Sequence, residues 1–88
     1  MNEFYVTPVE MQEAAEAFAK ASQDSQAIID RLEKATAKLE GKWGGVTQQM
    51  FYKNYKDWQA HMSGMVELLR RVSLETQAIA DRFEQADK

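Results

Sequence analysis

The side chains able to do chemistry in this sequence are few and scattered. There is no cysteine and one histidine, His61. Without cysteine there is no disulfide framework, no thiolate zinc ligand and no cysteine nucleophile. His61 lacks a second ligand at Glu-x-x-His or His-x-x-x-His spacing, and a metal held between helices needs several ligands on facing turns. It stands beside Met62, as a surface or interface histidine would. The 14 carboxylates are dispersed along helix faces near basic neighbours. None forms the apolar-flanked pair that sets an acid apart from a base. Gly41, Gly44 and Gly45 do not make a phosphate loop, because no strand precedes them and the lysine–serine/threonine pair is missing. The expectation is a protein with no catalytic residue, no metal site and no cofactor.

What remains is a scaffold. A chain of 88 residues holds one domain and buries a limited core, so association is an expected source of stability. The net charge of -3 comes without a basic stripe, which argues against nucleic acid as the main partner. Met1-Asn2-Glu3-Phe4-Tyr5 has neither a positive region nor an apolar run, so no cleavable signal peptide is expected. No stretch approaches the ~20 apolar residues of a membrane span.

Two long helices account for nearly all of the chain. Thr7-Pro8-Val9-Glu10 is a helix start: Thr7 caps, Pro8 fits the first helical position and Glu10 closes a capping box. From there Met11, Ala14, Phe18, Ala21, Ser25, Ile28, Leu32, Ala35 and Leu39 recur at alternating steps of three and four, an a/d seam. Ala15 and Ile29 widen that stripe. Glu16–Lys20 and Asp30–Lys34 are expected i,i+4 pairs. The spacing predicts a helix over about 8–40, a turn over 41–45 and a second helix over about 46–86. In the second helix Phe51, Tyr55, Trp58, Met62, Met65, Leu69, Val72, Thr76, Ile79 and Phe83 keep the same alternation. Gly64 interrupts its propensity by about 1 kcal/mol relative to alanine.

A short turn makes the helices antiparallel neighbours. The first seam is lined with small residues and the second opens on bulky rings, which interdigitate. Two helices cannot cover both stripes, and Val66, Leu68 and Leu74 lie off them. The expected fold is therefore all-α: a helix-turn-helix hairpin that dimerises into an antiparallel four-helix bundle. Its core and dimer seam would include Phe18, Leu32, Leu39, Phe51, Trp58 and Leu69.

The turn carries Trp43 between glycines, as Gly41-Lys42-Trp43-Gly44-Gly45. A large apolar ring there either closes the hairpin or anchors a partner. Trp-x-Gly midway between two helices, in a chain of this length with flanking heptads, resembles the WXG100 family of ESAT-6-like proteins. The match is carried by Trp43, Gly44 and Gly45, by Phe51 eight residues after the tryptophan, and by residues 6–88 as a whole. The resemblance implies a small protein exported by a type VII (ESX) secretion system, acting as secreted effector or co-secreted partner. It implies protein partners: a second copy or another WXG100-like chain, and the type VII export ATPase. The family's C-terminal signal, Tyr-x-x-x-Asp/Glu, is met most nearly by Phe83-Glu84-Gln85-Ala86-Asp87, with Phe for Tyr. Two other readings stand beside it, a membrane-active effector and a cytosolic helical adaptor. The mixed charge of the polar face argues against the first, since interfacial helices favour Lys and Arg there.

Overall fold

The computed structural model describes residues 6–42 and 44–86. They form two helices, α1 over Pro8–Ala37 and α2 over Gly45–Ala86. The helices lie side by side in a rod of 65 × 22 × 15 Å. Helix α1 starts where its cap dictates. Thr7 Oγ1 accepts from the Glu10 backbone N–H at 3.1 Å, and Glu10 Oε1 accepts from the Thr7 N–H at 3.2 Å. Two donors that the first turn would leave orphaned are thereby satisfied. Pro8, at the first helical position, has no donor to waste.

At the other end α1 gives way after Ala37, short of position 40. The chain tightens into i→i+3 bonds, Leu39 N–H to Thr36 O at 3.0 Å and Lys42 N–H to Leu39 O at 3.1 Å. Gly41 then takes φ +79 and Gly45, the first residue of α2, φ +80. Both values lie in the left-handed region that favours glycine. A Cβ at either position would meet nothing within 4 Å. The demand for glycine is thus a demand of the backbone alone.

The two helices are joined by hydroxyls bonded to carbonyls across the groove. Tyr52 Oη donates to Thr36 O at 3.1 Å, Ser22 Oγ to Val66 O at 3.1 Å and Ser73 Oγ to Ala15 O at 2.8 Å. These pairs share one antiparallel register: as the α1 number falls from 36 to 22 to 15, the α2 number rises by the same steps. A serine hydroxyl, one carbon from its own backbone, reaches a carbonyl on a neighbouring helix only where the backbones approach closely. The buried residues meet that requirement. They are Ala15, Ser22 and Ile29 on α1, and Ser73 and Ala80 on α2. Ala80 has no exposed surface and Ala15 only 2 %. No large side chain among the described residues is fully buried.

The contact line therefore runs one residue beyond half of the expected seam. Ala15, Ser22, Ile29 and Thr36 face α2 where Ala14, Ala21, Ile28 and Ala35 were expected. On α2, Tyr52, Gln59, Val66, Ser73 and Ala80 take the line in place of Phe51, Trp58, Met65, Val72 and Ile79. As a description of what a single hairpin buries, the seam needs correction: Phe18, Leu32 and Leu39 are 37 to 43 % exposed. Phe51, Trp58 and Leu69 are half-buried. The reason is steric. Small residues let the helices close to hydroxyl–carbonyl distance, and the bulky ones would hold them apart.

Surface ion pairs also settle differently from expectation. Lys20 reaches Asp24 at 3.1 Å in place of Glu16, and Asp30 accepts from Gln26 at 3.0 Å. Exposed pairs of this kind are worth a few tenths of a kcal/mol, so neighbouring partners compete closely.

Ile29→Ala should cost about 2–5 kcal/mol, by removing a large side chain from the contact line. Ala80→Leu should cost about 1–3 kcal/mol by forcing the helices apart. Glu16→Ala, on the exposed side, should stay within about 0.5 kcal/mol. Urea unfolding followed by circular dichroism measures all three. Equal effects at these positions would contradict the assigned contact line.

Candidate functional site: the apolar face and the turn

The displacement of the contact line leaves a surface with a definite side. Seen from one end, two antiparallel helices wind in opposite senses. Residues one step before the contact line on α1 and one step before it on α2 consequently emerge on the same side of the hairpin. On α1 these are Ala14, Ala21, Ile28 and Ala35; on α2 they are Phe51, Trp58, Met65, Val72 and Ile79. Between them and the contact line lie Phe18 and Leu32 on α1, and Tyr55, Met62, Leu69 and Phe83 on α2. This apolar face runs nearly the length of the rod. Ile28 and Met65 are 41 and 50 % exposed.

Its turn-proximal half carries a ladder of rings on α2. Phe51 and Tyr55 stack with centroids 6.2 Å apart and planes 2° apart, and Tyr55 and Trp58 stack at 5.7 Å and 24°. Spacings of four and three place the rings on successive turns of one face. The hydroxyl of Tyr55 is buried and has no hydrogen-bond partner among the described residues.

The opposite face is wet. Residues one step after the contact line are Glu16, Gln23 and Asp30 on α1, and Lys53, Ala60 and Glu67 on α2. Gln59 Nε2 donates to Glu33 Oε1 across the helices at 2.7 Å. Glu67 accepts from both Arg70 and Arg71. The bond from Arg70 is the largest of the causes that hold the Glu67 carboxyl at about 2, against an ordinary 4.5. Leu74, 57 % exposed, is the apolar exception on this side.

Of the expected motif, Gly44 is exposed and Gly45 supplies the positive φ that opens α2. Trp43 and Asp87 lie outside the described residues. Phe83 is half-buried at the open end of the apolar face. His61 is exposed on α2, with Nδ1 2.7 Å from the Asp57 carbonyl one turn earlier. Among the described residues no group of three or more His, Cys, Asp or Glu could hold a metal ion, and no helix is long and apolar enough to cross a membrane. Ser22, Ser73 and Tyr52, which tie the helices together, were not singled out from the sequence. The signal for them was the heptad spacing of 15-22-29 and 66-73-80, one step beside the more apolar series.

The described residues form an all-α hairpin with one apolar and one polar face. Comparison with known proteins places this hairpin in a family. The family model for WXG100, "proteins of 100 residues with WXG", matches residues 3–88. The chain is 23 % identical over 87 residues to an ESAT-6-like protein of Streptococcus agalactiae, spanning 99 % of this chain and 91 % of that one. Among solved structures it resembles the secreted protein EsxB of Bacillus anthracis, with 33 % identity, full coverage of both chains and a TM-score of 0.88. It also resembles EsxA of Geobacillus thermodenitrificans, with 25 % identity, coverage of 97 and 92 % and a TM-score of 0.86. The chain belongs to the WXG100 family, the ESAT-6-like proteins of type VII secretion, whose hairpins associate as dimeric helical bundles.

The clamp on Glu67 sets a sign for acid behaviour. A carboxyl lowered in the folded state adds stability that is fully present above its ordinary value of 4.5 and is lost as pH falls toward about 2. Glu67→Gln should therefore flatten the loss of melting temperature between pH 4.5 and about 2 relative to the unchanged chain. An acid limb of undiminished slope would show that the clamp does not act in solution.

Proposed function

We propose that this protein is a substrate of a type VII secretion system, exported as a paired hairpin and acting by protein–protein contact without catalysis of its own. The observation that carries the proposal is the apolar face. Stacked rings and half-exposed aliphatic side chains run along one side of a rod whose other side is polar. A monomer rarely leaves so large a contiguous apolar surface to water. The family's secretion route and its dimeric hairpins support the same reading. Covering this face is what the partner hairpin does. The export ATPase would read the pair from outside.

The C-terminal Phe83–Asp87 segment is the proposed export signal, with the ring of Phe83 in the tyrosine position and Asp87 as the acid. Phe83 also packs at the end of the apolar face, so its truncation would disturb pairing and recognition together. Asp87 separates the two.

Asp87→Ala should leave helicity and association unchanged and abolish appearance of the protein in the culture medium of its native host. Immunoblots of medium and lysate give the readout. Undiminished export of Asp87→Ala would remove this segment as the signal and turn attention to Trp43 and Gly45, or to a partner that carries the signal in trans.

A further inference from the structure

With no cysteine in the chain, its sulfur is all thioether sulfur, carried by five methionines. Methionine is therefore where a peroxide acts first. Met11, Met50, Met62 and Met65 fall among the described residues, and Met11 and Met62 are half-buried. Met50 and Met65 are 61 and 50 % exposed, which makes them the two most open to a reagent in water. They stand on different sides of α2. Met50 shares the heptad position of Asp57, Gly64 and Arg71, away from the apolar face. Met65 lies at the middle of the apolar face, one heptad after Trp58 and one before Val72. The side chains one turn from it on α2 are His61, Met62, Leu68 and Leu69. His61 is the polar one of the four. Its Nδ1–H goes to the Asp57 carbonyl at 2.7 Å, which leaves Nε2 of the neutral ring an acceptor. An oxygen placed on Met65 thus meets no donor within one turn of its own helix.

We propose that Met65 is a site of reversible oxidation: a peroxide converts it to the sulfoxide in the unpaired hairpin and thereby bars that hairpin from pairing. The inference rests on reading the apolar face as the pairing surface, and it adds a chemical state of one residue that controls that surface. A lone pair of Met65 Sδ attacks one oxygen of the peroxide. The O–O bond breaks, that oxygen stays on sulfur, and the other leaves as water with both protons of hydrogen peroxide. The sulfur gives up the electron pair that the peroxide gains. A reductase dithiol reverses the step: the oxygen leaves as water and the dithiol closes to a disulfide. The sulfoxide replaces a flexible apolar group by a polar one with a strong acceptor. In the free hairpin that oxygen stays hydrated. In a pair it is pressed against another apolar surface, loses its water and finds no donor on its own helix. Pairing in turn takes Met65 out of water and leaves Met50 as open as before. A hairpin that pairs before it meets the oxidant keeps its interface, and one that meets the oxidant alone loses it until it is reduced.

The test treats the full purified chain with hydrogen peroxide, locates the sulfoxides by peptide mass spectrometry and follows association by sedimentation. Across a dilution series that spans the dimer Kd, Met65 should oxidise about tenfold faster at the dilute end, while Met50 keeps one rate. The oxidised chain should show a dimer Kd raised about tenfold, restored by methionine sulfoxide reductases A and B with dithiothreitol. Met65→Leu keeps the volume and cannot take up oxygen, so it should pair normally and stay paired after the same exposure. Met65→Gln should show the raised Kd without any peroxide. Met50→Leu should change none of these results. An oxidised chain that pairs as tightly as the untreated one, or a Met65→Leu chain that loses pairing under peroxide, would overturn the proposal while leaving the face an interface. A Met65 rate independent of dilution in a chain that does dimerise would do the same. Sedimentation of the untreated chain as a monomer at about 100 µM would instead strike the face as a surface for self-pairing, and this inference with it.

Discussion

Everything else in this molecule follows from how closely its two helices approach. Ala15, Ser22, Ser73 and Ala80 have almost no side chain to hold the backbones apart. At that distance the hydroxyls of Ser22 and Ser73 reach carbonyls of the facing helix, at 3.1 and 2.8 Å. These carbonyls already accept within their own helices, so the added bonds use spare lone pairs and leave the ladders intact. A polar group that would be costly if buried alone is satisfied at the one place where the helices are nearest.

Close approach has a corollary. A helix offers a limited arc to each neighbour, and an arc filled by alanine and serine contributes little hydrophobic free energy. The large side chains are displaced to one side of the contact line, and because the helices run antiparallel the displaced residues of both collect on one side. Intramolecular packing thus fixes the geometry of the hairpin, and the surface that can supply most of the hydrophobic stabilisation is directed outward. Stability and recognition become one property, as is common where the folded monomer is too small to hide its own apolar residues.

Much of this was legible in the residues. Thr7, Pro8 and Glu10 announce the start of α1, because a cap is a local arrangement of a few atoms. The alternation from Met11 to Leu39 and from Phe51 to Phe83 announces two helices with apolar stripes, because periodicity survives any detail of packing. Which edge of a stripe the hairpin uses was not legible. Ala14 and Ala15 differ by one position and not at all in chemistry. Ser22 and Ser73 read as polar surface, and only the facing carbonyl shows why a hydroxyl is wanted there. The glycines of the turn were legible as a reversal, but the positive φ of Gly41 and Gly45 separates them from Gly44, which the sequence does not distinguish.

The single register of the hairpin also orders its assembly in time. Tyr52 and Thr36 are 16 residues apart, Ser22 and Val66 44, and Ser73 and Ala15 58. Closing the first of these loops costs the least chain entropy, and each later bond closes onto a structure already shortened by the one before. By chain entropy alone, the favoured order of closure runs from the turn outward. The same entropy makes the open end, where Ala80 and Phe83 hold the last turns of α2, the least costly to release. On that ground a force applied to the last turns of α2 would work against the bonds between the helices one at a time.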